Sequence, residues 1–179
     1  MMMFQRLLTG KALFVYGLFL VLFGMGTALY YQFFQGFEPC SLCIFQRVAY
    51  ISYGLIALIA IIHNPSTWGA RFYAFFQIPV VIAGLTVALR QVWLQNLPAG
   101  QVTTCGPGIN FLLQEFSLTR VAQVVWAGSS DCAVVTWRFI GLSMASWSAI
   151  MFACLLLLAI FTLLKNYAIT KSKKKGKAS

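Results

Sequence analysis

Apolar residues fill four long stretches of this chain, and polar residues collect between them. A helix of about 20 mostly apolar residues spans a bilayer, and the stretches at about 13–34, 42–62, 72–93 and 147–164 meet that length. Pro79 falls inside the third. It is expected to kink that helix rather than end it, because neighbouring helices can satisfy the freed backbone groups. The first two spans are joined by a short segment around residues 35–41, and the second and third by the Pro/Gly turn His63-Asn64-Pro65-Ser66-Thr67-Trp68-Gly69. A long connection, residues 94–146, leads to the fourth. Within it Phe111, Leu112, Leu113, Phe116, Leu118, Val121, Val124, Val125 and Trp126 recur at roughly helical spacing against Gln114, Glu115, Arg120 and Gln123. That pattern suits a short amphipathic helix on the membrane surface, or equally an apolar loop face packed on the bundle. The fold expected is an all-α membrane protein: a four-transmembrane-helix bundle forming a single domain over residues 1–179, with a long outward loop carrying a short amphipathic helix.

Composition sharpens the class. Of 179 residues 60% are hydrophobic and 9% charged, against roughly 25% charged in soluble domains. The net charge of +10 would suggest nucleic acid in a soluble protein, but here the cations sit at span ends, so no nucleic-acid partner is expected. Arg6, Lys11, Arg71 and Lys165 share one side of the four-span layout with Lys171, Lys173, Lys174, Lys175 and Lys177. All three acids, Glu38, Glu115 and Asp131, fall on the other side with Arg120 and Arg138. The positive-inside rule then places both termini in the cytoplasm. The basic tail, residues 165–179, is expected to be solvated and disordered, close to anionic lipid. Arg6 and Lys11 precede a segment long enough to span, with no small-residue cleavage site after it, so no cleavable signal peptide is expected.

The chemistry lies in the cysteines. Cys40 and Cys43 open the second span in Glu38-Pro39-Cys40-Ser41-Leu42-Cys43-Ile44-Phe45-Gln46-Arg47. A helix starting near Ser41 puts Cys43 in its first turn, where the positive end of the helix favours a thiolate. Arg47, four residues on, shares Cys43's face one turn deeper. Cys105 (in Thr103-Thr104-Cys105-Gly106-Pro107-Gly108) and Cys132 (after Gly128-Ser129-Ser130-Asp131) lie in the outward loop. Cys154, inside the fourth span, reads as an inert small hydrophobe.

Four outward cysteines admit three readings: two structural disulfides, a zinc site, or electron exchange. Zinc suits them poorly, because Cys105 and Cys132 stand far apart and no histidine is near, so no metal is expected. Placement favours electron exchange. A two-residue spacer closes a small ring that is reduced more easily than a long-loop bridge, and a cation near a helix end inside the membrane marks function. Arg47 snorkelling to the surface is the bland alternative.

Taken together these residues resemble the disulfide bond formation protein B (DsbB) family of the bacterial inner membrane. The resemblance covers four spans, Pro39-Cys40-x-x-Cys43 opening the second, Arg47, a second cysteine pair in the long loop, and Ser130-Asp131-Cys132-Ala133 followed by Trp137. It implies a quinone-dependent thiol oxidase with ubiquinone or menaquinone as cofactor, and a soluble periplasmic DsbA-type thiol oxidase as partner. It also implies the pairings Cys40–Cys43 and Cys105–Cys132. The partner would attack the loop disulfide at Cys105, the electrons would reach Cys40, and Cys43 would deliver them to quinone, whose oxygen Arg47 would polarise. Some relatives carry a histidine late in the third span; here that region reads Leu89-Arg90-Gln91-Val92-Trp93, and neither Arg90 nor Gln91 is assigned its role. Two alternatives remain: a vitamin K epoxide reductase-like oxidoreductase, whose membrane cysteine pair comes late in the chain, and a non-catalytic scaffold with structural disulfides.

Overall fold

A computed structural model describes residues 10–36, 39–97, 132, 135 and 138–175. Among them are four long helices: α1 (Gly10–Gln35), α2 (Ser41–His63), α3 (Thr67–Gln95) and α4 (Met144–Lys175). Each contains a stretch long and apolar enough to cross a membrane. Phe19, Phe33, Ile62 and Leu157 lie exposed on the outer surface of the bundle. Such an apolar exterior suits lipid and would make a water-soluble protein aggregate.

The helix ends follow local chemistry. Cys40 caps α2 in extended backbone, φ −68° and ψ 167°, and its carbonyl accepts the first intrahelical bond from Ile44 N at 3.2 Å. Cys43 is thereby fixed in the first turn. At the other end Asn64 adopts the left-handed conformation at φ 43°, which asparagine tolerates better than most residues, and its N–H returns to Ala60 O. Helix α3 continues through Pro79.

Small residues let the helices approach. A Cβ on Gly84 of α3 would lie 2.5 Å from Phe152 Cε1 of α4, so only glycine admits that ring. Phe152 in turn stacks on Tyr50 of α2, with ring centroids 4.2 Å apart. Val21, Tyr53, Ala57, Val81 and Leu155 complete this central core. The α3–α4 interface is the most extensive, and α1 meets α4 most lightly among adjacent helices.

Two features depart from the sequence reading. Strands β1 (Arg138–Phe139) and β2 (Leu142–Ser143) form an antiparallel hairpin just before α4. Ile140 and Gly141 turn it, both with positive φ, the geometry that matches strand twist in two-residue hairpins. Further, α4 runs on to Lys175 instead of giving way to a disordered tail after residue 164. Lysine is a good helix former and its charge is favourable at a helix C-terminus. The amphipathic segment 111–126, Cys105 and Trp137 lie outside the described residues.

Candidate functional site

At the α2 N-terminal end of the bundle, Cys40 and Cys43 place their sulfurs 3.0 Å apart, in contact and unbonded. Cys132 comes to the same place from the loop. It is fully buried, with Sγ 3.7 Å from Ser41 Oγ, and packs with Leu42, Leu94 and Cys40. Hydrogen bonding to Cys132, then to Cys43, together with burial, holds the Cys40 thiol well above the ordinary thiol range. Of the four cysteines read as outward, three therefore meet here, and Cys105 lies outside the described residues. Cys154 is exposed on the outer face of α4, away from them.

Glutamines supply the polar contacts. Gln91 Nε2 of α3 donates to Cys43 Sγ at 3.3 Å and to Cys40 Sγ at 3.5 Å. Gln46 Nε2 donates in turn to Gln91 Oε1 at 2.7 Å. Arg90, the neighbouring candidate, instead lays its guanidinium over the Trp93 ring, 4.2 Å from the centroid. Arg47 sits one turn below Cys43 and donates through Nη1 to Gln32 Oε1 of α1.

Cys40, Cys43, Gln46, Arg47 and Gln91 all border one cavity of about 390 Å³. Its other walls are mainly apolar and aromatic: Phe23, Met25, Tyr31, Tyr50, Trp147 and Met151, with Val135 from the loop. Helices α1 and α4, which pack on each other only lightly, both contribute to its walls. Size and lining are those of a small-molecule pocket, apolar overall with a few convergent donors. Gln95 also borders it, and its buried Oε1 has no hydrogen-bond partner among the described residues. The arrangement can do thiol–disulfide exchange: three cysteines meet here, and two of them, Cys40 and Cys43, border a cavity whose wall also holds the Arg47 cation.

Comparison with known proteins agrees with that chemistry. The family model described as Disulfide bond formation protein DsbB matches residues 10–162. The chain belongs to the DsbB family. It is 46% identical over 153 residues to Disulfide bond formation protein B of Acinetobacter baylyi, covering 85% of this chain and 90% of that one. Against the protein of the same name from Nitrosococcus oceani it is 43% identical over 145 residues, 81% of this chain and 86% of that one. The Marinobacter nauticus relative, also Disulfide bond formation protein B, is 42% identical over 156 residues, 86% and 93% of the two chains. The chain is thus a multi-pass membrane protein of a disulfide-forming, thiol oxidoreductase family, which sets aside the vitamin K epoxide reductase-like alternative.

Sequence reasoning singled out Cys40, Cys43, Cys132 and Arg47 but gave no role to Gln32, Gln46 or Gln91. The available signal was an amide inside an apolar span, which needs a partner in lipid and tends to find it on a neighbouring helix. Gln46 and Gln91 are each 5% exposed and find one another.

Proposed function

We propose that the protein is a quinone-dependent thiol oxidase of the bacterial inner membrane, with both termini in the cytoplasm and the cysteine cluster facing the periplasm. Its substrate is a soluble DsbA-type dithiol oxidase that arrives reduced and leaves as a disulfide. Two electrons and two protons are withdrawn from the partner's thiols by Cys105–Cys132. Exchange with Cys40–Cys43 restores the loop disulfide and leaves Cys40 and Cys43 as thiols. A membrane quinone, bound in the cavity, supplies the two-electron, two-proton acceptor that returns this pair to a disulfide.

The observation that carries the reading is that the Cys40 and Cys43 sulfurs touch one another at the wall of the cavity, with Arg47 one helical turn beyond Cys43 on the same wall. Cys132, packed against Cys40, supports entry of electrons at Cys40. The donor set suits a ring whose only polar atoms are carbonyl oxygens, because Arg47 offers N–H groups at the polar end of an apolar cavity. Arg47 would hold a carbonyl oxygen with its fixed positive charge, in a site where low dielectric strengthens the attraction.

The test uses purified protein, added quinone and a reduced DsbA-type partner whose free thiols are titrated with time. The intact protein is expected to oxidise many equivalents of partner. Cys40→Ala, Cys43→Ala, Cys105→Ala and Cys132→Ala should each abolish turnover, and Cys154→Ala should preserve it. A scaffold with structural disulfides would have no turnover to lose, and that result would sink the reading.

A further inference from the structure

We propose that Gln91 is a catalytic hydrogen-bond donor to the Cys43 sulfur, and that Gln46 is the positioning residue that aims it. The inference deepens the thiol-oxidase reading and rests on it. Three side chains make a directed path between α2 and α3. Gln46 Nε2 donates to Gln91 Oε1 at 2.7 Å, and Gln91 Nε2 donates onward to Cys43 Sγ at 3.3 Å. Both glutamines are 5% exposed, so their amides are largely withdrawn from bulk water.

The direction of that path matters chemically. When a loop thiolate attacks Cys40, the Cys40–Cys43 bond breaks and a bond from Cys40 to the loop sulfur forms. The electron pair leaves on Cys43 as a thiolate. A leaving thiolate departs faster when its charge is stabilised, and a donor already in place costs no reorganisation at that moment. Gln91 offers its N–H where the charge develops.

An amide has two ends, and the wrong one would repel. Gln91 Oε1 lies 3.7 Å from Cys43 Sγ and accepts from the thiol, whereas a reversed side chain would leave the thiolate no N–H. Gln46 opposes reversal by giving Oε1 a second donor at the shorter distance of 2.7 Å. Arg47 does not substitute for the pair, since its Nη1 is directed to Gln32. Cys40 also receives Gln91 Nε2, at the longer distance of 3.5 Å.

The experiment follows alkylation of Cys43 by iodoacetamide in the reduced full-length protein at one fixed neutral pH, scored by peptide mass spectrometry. Only the thiolate reacts. Gln91→Leu removes the donor and is expected to slow Cys43 alkylation about tenfold, the size expected for loss of one hydrogen bond to a charged group. Gln91→Glu, nearly the same shape, should slow it at least as much. Gln46→Glu is the decisive variant, because a carboxylate only accepts and so draws the Gln91 N–H away from the sulfur. It should slow alkylation like Gln91→Leu. Thermal unfolding is recorded for each variant, and a merely structural role would lower stability while leaving the rate in the folded protein unchanged. An unaltered rate in either Gln91→Leu or Gln46→Glu overturns the proposal. Neither quinone nor partner is present, so a failed turnover assay alongside the expected alkylation pattern would count against the thiol-oxidase reading alone.

Discussion

Arg47 brings a permanent charge to the wall of an apolar cavity, and among the described residues its hydrogen-bond partner is the neutral Gln32 side chain. That partner is uncharged, so the contact leaves the positive field of Arg47 to act on what enters the cavity. A guanidinium so placed is expensive in a membrane and is best explained by an anionic or electron-rich ligand. Arg47→Leu should lower the turnover number about a hundredfold, as loss of a preorganised donor to developing charge typically does. The partner's own affinity, measured separately by binding of its reduced form, should be unchanged. The cysteine pair and Arg47 were legible in sequence because residues three and four apart share a helix face whatever the rest of the fold does. Gln91 was not, since its meeting with Cys43 depends on how α3 is rotated and shifted against α2, which no local spacing encodes.

Between elements, the decisive contact is the one that seats α4 against α2 and α3. Phe152 slots over Gly84 and stacks on Tyr50, while the Tyr50 hydroxyl reaches Ser148 at 3.3 Å. Tyr50 and Ser148 also border the cavity, so this packing sets its depth. Gly84→Leu should destabilise the bundle by about 3 kcal/mol, at the upper end of ordinary overpacking costs. Thermal unfolding in detergent checks this, and the same change at Gly26, whose Cβ position is open, should cost far less. The four helices themselves were readable from apolar run length, because the bilayer imposes a length on each. The hairpin Arg138–Ser143 was not, since two-residue strands carry no period, and its only sequence signal was the Ile140-Gly141 turn. The helical lysines of the α4 end were misjudged because charge was weighed and helix propensity was not.

Across the whole molecule, basic residues are more numerous at one end than at the other. Arg71, Lys165 and Lys171 lie toward one end of the bundle, whereas Cys40, Cys43 and Cys132 gather at the other. The proposed orientation, with the basic end inside the cell, would turn the cysteines to the compartment where disulfides persist. In a variant lacking native cysteines, Ser66→Cys on the α2–α3 turn should react with a membrane-impermeant maleimide only after the cells are opened. Gln35→Cys at the end of α1 should react in intact cells; reversed labelling would contradict the orientation. The central claim is that electrons leave the protein at Cys43 into the cavity. The most direct measurement records the absorbance of added quinone while reduced partner is oxidised by the purified protein. The account predicts one quinone consumed per partner disulfide formed, and none with Cys43→Ala. Quinone consumption that survives Cys43→Ala, or partner oxidation without quinone loss, would contradict it.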